Sequence, residues 1–179
     1  FNVSSEEMLT SSVFGNLDLL LVKNDNANYY VPDFGVDQIS MIDVNEGYKI
    51  FINGASSQSL SVVGVPVDLS TTLSINAYTM NMLPYFPDQC WPTSDIFSTY
   101  EDNILIVKND VSEYYVPAFG VATLSEMCPG EAYAIFLNGS EGIDFMYPSD
   151  ELSATTDAFI KDYKESAHRD DVALTGESH

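Results

Sequence analysis

Short apolar runs that end at asparagine, aspartate or glycine recur along the chain and predict a protein built mainly of β-strands. Residues 17–23 and 103–108 are nearly continuous apolar runs, which predict strands covered on both faces. Each run is followed by Asn-Asp, whose side chains can bond their own backbone in a turn. Hairpins are therefore expected, with return strands at residues 28–31 and 113–116.

An alternating pattern at residues 48–53 and 133–138 predicts half-buried strands there. Both segments end at Asn-Gly, a frequent hairpin turn. Further strands are expected at residues 59–65, at residues 143–147 and within residues 68–82.

Local signals predict two short helices and two tight bends. Residues 4–7 read Ser-Ser-Glu-Glu, a capping box that predicts a helix at about residues 5–12. Residues 93–100 follow a proline and predict a second helix. Phe34 and Phe119 each precede a glycine, which predicts a bend whose aromatic ring plugs the core.

The chain contains an internal duplication. Residues 21–54 and 106–139 align without a gap, 85 residues apart, with 18 identities in 34 positions. Such a repeat predicts a tandem of similar units. We expect a mainly β fold of tandem β-sandwich-like (Ig-like) modules with short helices. The expected division is a first module at residues 1–64, a second at residues 65–148, and a C-terminal linker or donor segment at residues 149–179.

The first module is expected to lack its opening strand. The strand-rich residues 68–85 precede the second copy, and their counterparts 85 residues earlier would lie before Phe1. An antiparallel sandwich without one strand exposes unpaired backbone groups and apolar surface. An upstream part of a longer polypeptide, the C-terminal segment or a strand from another copy of the protein could fill the gap.

The charge of the chain limits its partners. It carries 27 acidic and 6 basic residues, a net charge of −21. Such a surface repels phosphate backbones and anionic membranes, so nucleic acid is not an expected partner. No apolar run is long enough to span a bilayer, and membrane insertion is not expected either.

Two cysteines, Cys90 and Cys128, both lie in the second copy. A disulfide between them, and hence an oxidising compartment, is the interpretation that we favour. Two buried free thiols are the alternative.

Three segments of the second copy resemble a module repeated in long secreted proteins of marine and other aquatic bacteria. They are Ile-Leu-Ile-Val-Lys-Asn at residues 104–109, Tyr-Tyr-Val-Pro-Ala-Phe-Gly at residues 114–120, and Pro-Gly-Glu-Ala-Tyr-Ala-Ile at residues 129–135. The first copy matches more weakly, with Val-Asn in place of Pro-Gly. The resemblance implies a secreted, β-sandwich-like protein with a cell-surface or extracellular role. It implies no activity and no catalytic residue.

Few residue combinations predict a catalytic, metal or modification site. His168 and His179 lie near the C-terminus, away from any nucleophile motif, so no catalytic residue is assigned and no enzyme is expected. Residues 43–47 faintly resemble the start of a calcium loop, but an acidic turn is the favoured interpretation. No cofactor is therefore expected, although an acidic extracellular protein could hold calcium elsewhere. Asn2 and Asn138 fit the N-glycosylation pattern.

Aromatic side chains are the remaining candidates for a ligand site or an interface. They are Tyr29, Tyr30, Trp91, Tyr114 and Tyr115. Neighbouring positions of a strand face opposite sides, so one ring of each tyrosine pair is expected in the core and one outside. Packing in a core or interface is favoured over a sugar-stacking platform.

These observations favour a non-catalytic structural or adhesive subunit of a secreted, pilus-like filament or cell-surface array. Assembly would proceed by strand complementation, or donor-strand exchange, with other copies of the protein. The alternative is a carbohydrate-binding or adhesin module in which exposed tyrosine and tryptophan bind surface glycans. A hydrolase would need a carboxylate-lined cleft, for which the sequence has no specific signal.

Overall fold

A computed structural model describes residues 1–6 and 8–148, and all structural statements below refer to this part of the chain. The predicted mainly β fold is confirmed, with short helices and several antiparallel sheets. The predicted C-terminal segment, which contains His168 and His179, lies outside the described residues. Within the described part, no helix combines the length and apolar character needed to cross a bilayer.

The strands and helices follow the two copies of the repeat. The first copy contains β1 (Val3–Ser4), α1 (Thr10–Phe14), β2 (Leu19–Lys23), β3 (Tyr29–Val31), β4 (Val36–Asp37), β5 (Lys49–Ile52) and β6 (Val65–Pro66). The second contains β7 (Leu73–Ile75), β8 (Asn81–Pro84), β9 (Trp91–Pro92), α2 (Thr93–Phe97), β10 (Ile104–Lys108), β11 (Tyr114–Val116), β12 (Val121–Ala122), β13 (Glu126–Met127), β14 (Ala132–Leu137) and β15 (Ile143–Phe145). Single 3-10 turns lie at Pro32–Phe34, Glu101–Asn103 and Pro117–Phe119.

Two main sheets carry equivalent strands in the same order. The first sheet has the order β4-β3-β2-β5, and the second has the order β12-β11-β10-β14-β8. Their registers match, since Val22 lies opposite Tyr30 and Val107 lies opposite Tyr115. A register shift also occurs at the same point of β2 and β10. The sheets therefore differ by one strand, because β8 extends only the second.

Asparagine closes the first hairpin of each sheet. The N–H of Asn28 donates to Asn24 Oδ1 at 3.0 Å, and the N–H of Glu113 donates to Asn109 Oδ1 at 2.9 Å. A side chain that bonds its own turn is what the Asn-Asp pairs predict. The bond brings β3 back against β2 and β11 back against β10.

The buried core is unevenly divided between the two copies. Strands β7 and β15 pair into a small sheet, and their Leu73, Ile75 and Phe145 join the core of the second main sheet. That core contains 18 buried apolar residues, whereas the core of the first copy contains five: Met8, Phe14, Leu19, Val22 and Ile42. The second copy is therefore covered on its inner face, and the first is covered only in part.

Two expectations about burial are wrong. Strands β2 and β10 are covered on one face only, since Leu20 is 52% exposed and Leu105 is 40% exposed. The rings of Phe34 and Phe119 do not plug a core, because they are 82% and 78% exposed. Each ring stands on a 3-10 turn closed by a glycine with φ of 62° or 63°, and this left-handed residue turns the chain back into the sheet with the ring outside.

Two boundaries also differ from the prediction. The first helix starts at Thr10 rather than near residue 5, because Ser4 pairs with Val65 in the small β1–β6 sheet. The strand expected at residues 59–65 is formed only at its last residue, which begins β6.

The two copies meet at the outer edge of β8. The N–H of Gly47 donates to the carbonyl oxygen of Met82 at 2.8 Å, and the N–H of Met82 donates to the Asp25 carboxylate at 3.0 Å. A Cβ placed on Gly47 would lie 2.7 Å from the Met82 oxygen and 2.9 Å from the Cβ of Ala132. The absence of a side chain at residue 47 is therefore what permits this close contact.

We expect Gly47→Ala to lower the free energy of unfolding by about 1–3 kcal/mol, because the added methyl group overlaps backbone that has no flexible end to move. Urea unfolding of the full chain measures the change. The double variant Gly47→Ala with Ala132→Gly removes one of the two overlaps and should recover part of the loss. Unchanged stability in the single variant would contradict the contact.

Candidate functional site

Strand β5 forms an open edge of the first sheet. In the second sheet the equivalent strand, β14, pairs with β8, with Tyr133 opposite Leu83 and Ile135 opposite Asn81. The backbone N–H and C=O of Met82 point away from β14, toward Asp25 and Gly47. The backbone groups of its neighbours Leu83 and Asn81 therefore point toward β14. Among the described residues, no strand pairs with the corresponding edge of β5. A row of β5 backbone groups is thus available for another strand.

The inner face of β5 is also less covered than the inner face of β14. Ile50 and Ile52 are each 37% exposed, whereas their counterparts Ile135 and Leu137 are 0% and 2% exposed. The difference arises because Leu73, Ile75 and other residues of the second core cover β14. Exposed apolar surface is unfavourable by about 25 cal/mol per Å². Both the edge and the inner face of β5 therefore favour an added segment.

Two aromatic side chains pack together at one end of β5. The rings of Phe1 and Tyr48 are 6.1 Å apart with an interplanar angle of 64°. In the second copy, Tyr85 and Tyr133 are 6.1 Å apart at 69°. Phe1 therefore takes the place that Tyr85 occupies beside β14. The stretch equivalent to β7 and β8 is what remains uncovered in the first copy.

A cavity of about 370 Å³ adjoins the open strand. Its lining includes Phe1, Tyr48, Ile50, Leu60, Val62 and Ala132. We call the unpaired edge and inner face of β5, together with this cavity, the β5 groove. The cavity lining also includes the polar residues Asn2, Ser61 and Glu131, and residues of both copies of the repeat border it.

Hydrogen bonds to a tyrosine hydroxyl fix the turn that precedes β5. The Tyr48 hydroxyl accepts the N–H of Asp43 at 2.9 Å, as the Tyr133 hydroxyl accepts the N–H of Cys128 at 2.7 Å. Burial raises the pKa of Tyr48, so its hydroxyl stays protonated to a higher pH than that of a free tyrosine. Lys49 extends over the ring of Phe51, with Nζ 5.6 Å from the ring centroid. Lys49 and Phe51 alternate with Ile50 and Ile52, so this pair lies on the outer face of β5, outside the groove.

Each predicted tyrosine pair has one inward and one outward ring. Tyr115 is 5% exposed and stacks on Phe97 with centroids 6.1 Å apart. The half-buried Tyr30 stacks in the same way on Phe14, at 6.4 Å. The outward members, Tyr29 and Tyr114, are each 37% exposed.

Trp91 does not lie on the surface expected of a sugar-stacking platform. It is 8% exposed and belongs to the core of the second copy. The strand β9 in which it stands pairs with β13 and turns its ring inward, opposite Met127. Trp91 is therefore a core residue, and the carbohydrate-binding alternative loses one of its named side chains.

The remaining candidate residues have structural surroundings. Cys90 and Cys128 form a disulfide that joins the segments next to β9 and β13. Asn138 is exposed in a turn, whereas Asn2 is half-buried and its carbonyl accepts the N–H of Val67 at 2.9 Å. Asp43 Oδ1 accepts the N–H of Asn45 at 2.9 Å, as in an acidic turn. In the described part of the chain, no group of three or more acidic, histidine or cysteine residues could hold a metal ion.

The sequence predicts a missing strand in the first module but does not predict which residues are exposed in β5. The sequence pattern predicts Ile50 and Ile52 as ordinary half-buried strand positions, and the comparison of β5 with β14 is what distinguishes them. Gly47 was also missed, although the aligned Ala132 is a signal that the two copies differ there.

Searches of protein-family models, of curated proteins and of solved structures found no match to this chain.

The groove predicts unequal effects of one substitution at two matched positions. We expect Ile135→Ala to lower the free energy of unfolding by about 2–5 kcal/mol, because it opens a cavity in a closed core. Ile50→Ala should lower it by about 1 kcal/mol or less, since that side chain is partly in solvent. Denaturant unfolding of both variants measures the difference. Equal losses would contradict an uncovered β5.

Tyr115 predicts a stability change at high pH. Burial raises the pKa of Tyr115 to about 12, and the bond from its hydroxyl to Glu101 Oε1, 2.8 Å long, adds to the shift. Because the folded state holds the neutral phenol, this contribution is complete below pH 10 and is lost between pH 10 and about 12. We expect the free energy of unfolding to fall over that range, and to fall less in Tyr115→Phe. The same slope in both proteins would contradict the assignment.

Proposed function

We propose that this chain is a non-catalytic structural or adhesive subunit of an extracellular filament or cell-surface array. Neighbouring units are joined by a strand that one unit adds to β5 of the next. The observation that carries the proposal is the exposure of Ile50 and Ile52, 37% each, at positions whose counterparts in β14 are buried. An added strand supplies main-chain hydrogen bonds, and its side chains cover the apolar positions.

In this proposal the two copies are sandwich-like modules of one kind. The first module is short of the strand that β8 provides to the second. Support comes from the shared strand order, the matching registers and the repeated asparagine turns. A module with most of its sheet in place and one edge open is suited to accept a strand rather than to catalyse a reaction.

Charge and covalent chemistry support an extracellular array. A contact in which one unit donates a strand and the next accepts it does not close on itself, so it extends into a fibre. The net charge of −21 keeps such a fibre solvated and opposes lateral clumping. The Cys90–Cys128 disulfide fits an oxidising compartment.

The native mass of the chain over a range of concentrations tests the proposal. We expect species larger than one chain that grow with concentration, measured by light scattering after size exclusion. Ile50→Lys should leave single chains, because it places a charge in the β5 groove. Leu20→Lys is the matched control, since Leu20 is exposed on β2 and should leave association unchanged. A wild-type chain that is monomeric at every concentration contradicts the proposal.

A further inference from the structure

We propose that Asn138 is a site of spontaneous deamidation and that its counterpart Asn53 is protected from the same reaction. The two residues directly follow the matching strands β14 and β5, and each precedes a glycine. The inference does not depend on the proposed function, because it concerns the chemistry of two turns rather than the β5 groove. It names a covalent modification and the structural difference that directs it to one copy of the repeat.

The reaction needs only water, hydroxide and the residue that follows the asparagine. The backbone nitrogen of Gly139 gives its proton to hydroxide and attacks Cγ of Asn138. The bond from Cγ to Nδ2 breaks, and this nitrogen takes up a proton and leaves as ammonia. The product is a cyclic imide, which water opens at either carbonyl to give aspartate or isoaspartate. The net change replaces a neutral carboxamide by a carboxylate.

The turn after β14 leaves room for this ring closure. Asn138 and Gly139 are both exposed. Gly139 has a φ of 141°, and a Cβ built on it would meet no atom within 4 Å. Gly54, with a φ of 84°, is equally open. Because a glycine has no side chain to hinder the attack, both turns meet the steric requirement, and the difference between them must lie in the asparagine.

Asn53 differs because its carboxamide is held by an acidic side chain. Its Nδ2 donates to Asp18 Oδ1 at 3.2 Å, and its N–H donates to the Asp18 carbonyl at 2.8 Å. Gln58 fixes Asp18 in turn, accepting the Asp18 N–H through Oε1 at 2.7 Å and donating to the Asp18 carbonyl through Nε2 at 2.9 Å. The Asn53 carboxamide must leave its bond before Gly54 attacks it. The negative charge of Asp18 also opposes the loss of a proton from the backbone beside it.

Aligned differences remove this protection from the second copy. Asn103 stands at the position of Asp18, and its carbonyl accepts the N–H of Asn138 at 2.7 Å. The backbone bond is therefore kept while the carboxylate is lost. Ile143 of β15 stands at the position of Gln58, and an isoleucine side chain cannot bond the backbone. The carboxamide of Asn138 thus lacks the acidic acceptor that holds the carboxamide of Asn53.

The product alters the end of a core strand. Leu137, the residue before Asn138, is 2% exposed, and the N–H of Asn138 ties this end of β14 to Asn103. Isoaspartate carries the main chain through its side-chain carbon, so it lengthens the backbone by a methylene group at this point. The lengthened chain leads directly to β15, whose Phe145 is fully buried. Deamidation at Asn138 therefore affects the better-packed copy of the repeat.

The test is an incubation of the unglycosylated full chain in mildly alkaline buffer, with peptide mapping by mass spectrometry at intervals. We expect Asn138 to react at least about fivefold faster than Asn53, a ratio that corresponds to about 1 kcal/mol. In denaturant the two sites should react at similar rates, because the bonds of Asp18 are then absent. Equal rates in the folded chain, or a faster reaction at Asn53, overturn the inference.

Exchange of the two aligned residues tests the cause. Asp18→Asn should raise the rate at Asn53 toward that at Asn138, and Asn103→Asp should lower the rate at Asn138. Asp33→Asn is the matched control, since it removes another exposed carboxylate of the first copy and should change neither rate. An unchanged rate at Asn53 in Asp18→Asn overturns the role assigned to Asp18. Should a variant fail to fold, the two sites of the unchanged chain, folded and in denaturant, still decide the matter.

Discussion

A strand at the end of a sheet leaves one row of backbone N–H and C=O groups without a strand partner. In the second sheet, β8 ends the sheet on this side, and its Met82 bonds Asp25 and Gly47 of the first copy. In the first sheet the last strand on this side is β5, and the apolar side chains of its inner face are partly exposed. An open edge and a partly covered face on the same strand are the constraint on which the β5 groove and the proposed assembly depend.

Strand β8 has two structural roles, because each of its edges meets a different part of the chain. One edge completes the second sheet through β14, and the other holds the first copy at Gly47. Withdrawal of β8 to serve another molecule would therefore disrupt both contacts. The close approach at Gly47 is also specific to this junction, since the second copy has Ala132 at the matching position, where a Cβ is present.

Many of the strands and both asparagine turns could be predicted from the sequence, because the duplication compares two versions of one pattern. The order of the strands in each sheet could not, since it depends on pairing between distant segments. The outward positions of Phe34 and Phe119 could not be predicted. A phenylalanine in a turn has the same sequence pattern whether its ring faces the core or the solvent. The burial of Trp91 and the exposure of Ile50 depend on which distant strands cover them, and the local pattern does not contain that information.

Backbone hydrogen exchange at Ile50 and Ile135 tests the open edge most directly. The two residues occupy the same position in β5 and β14, and among residues 1–6 and 8–148 only β14 has a strand on this side. An amide held in a ladder exchanges only after the strand opens, whereas an unpaired amide exchanges from the folded state. We predict slow exchange at Ile135 and exchange at least about a hundredfold faster at Ile50, a ratio equivalent to roughly 2.7 kcal/mol of protection. Equal protection of the two amides in the isolated chain would contradict an open β5.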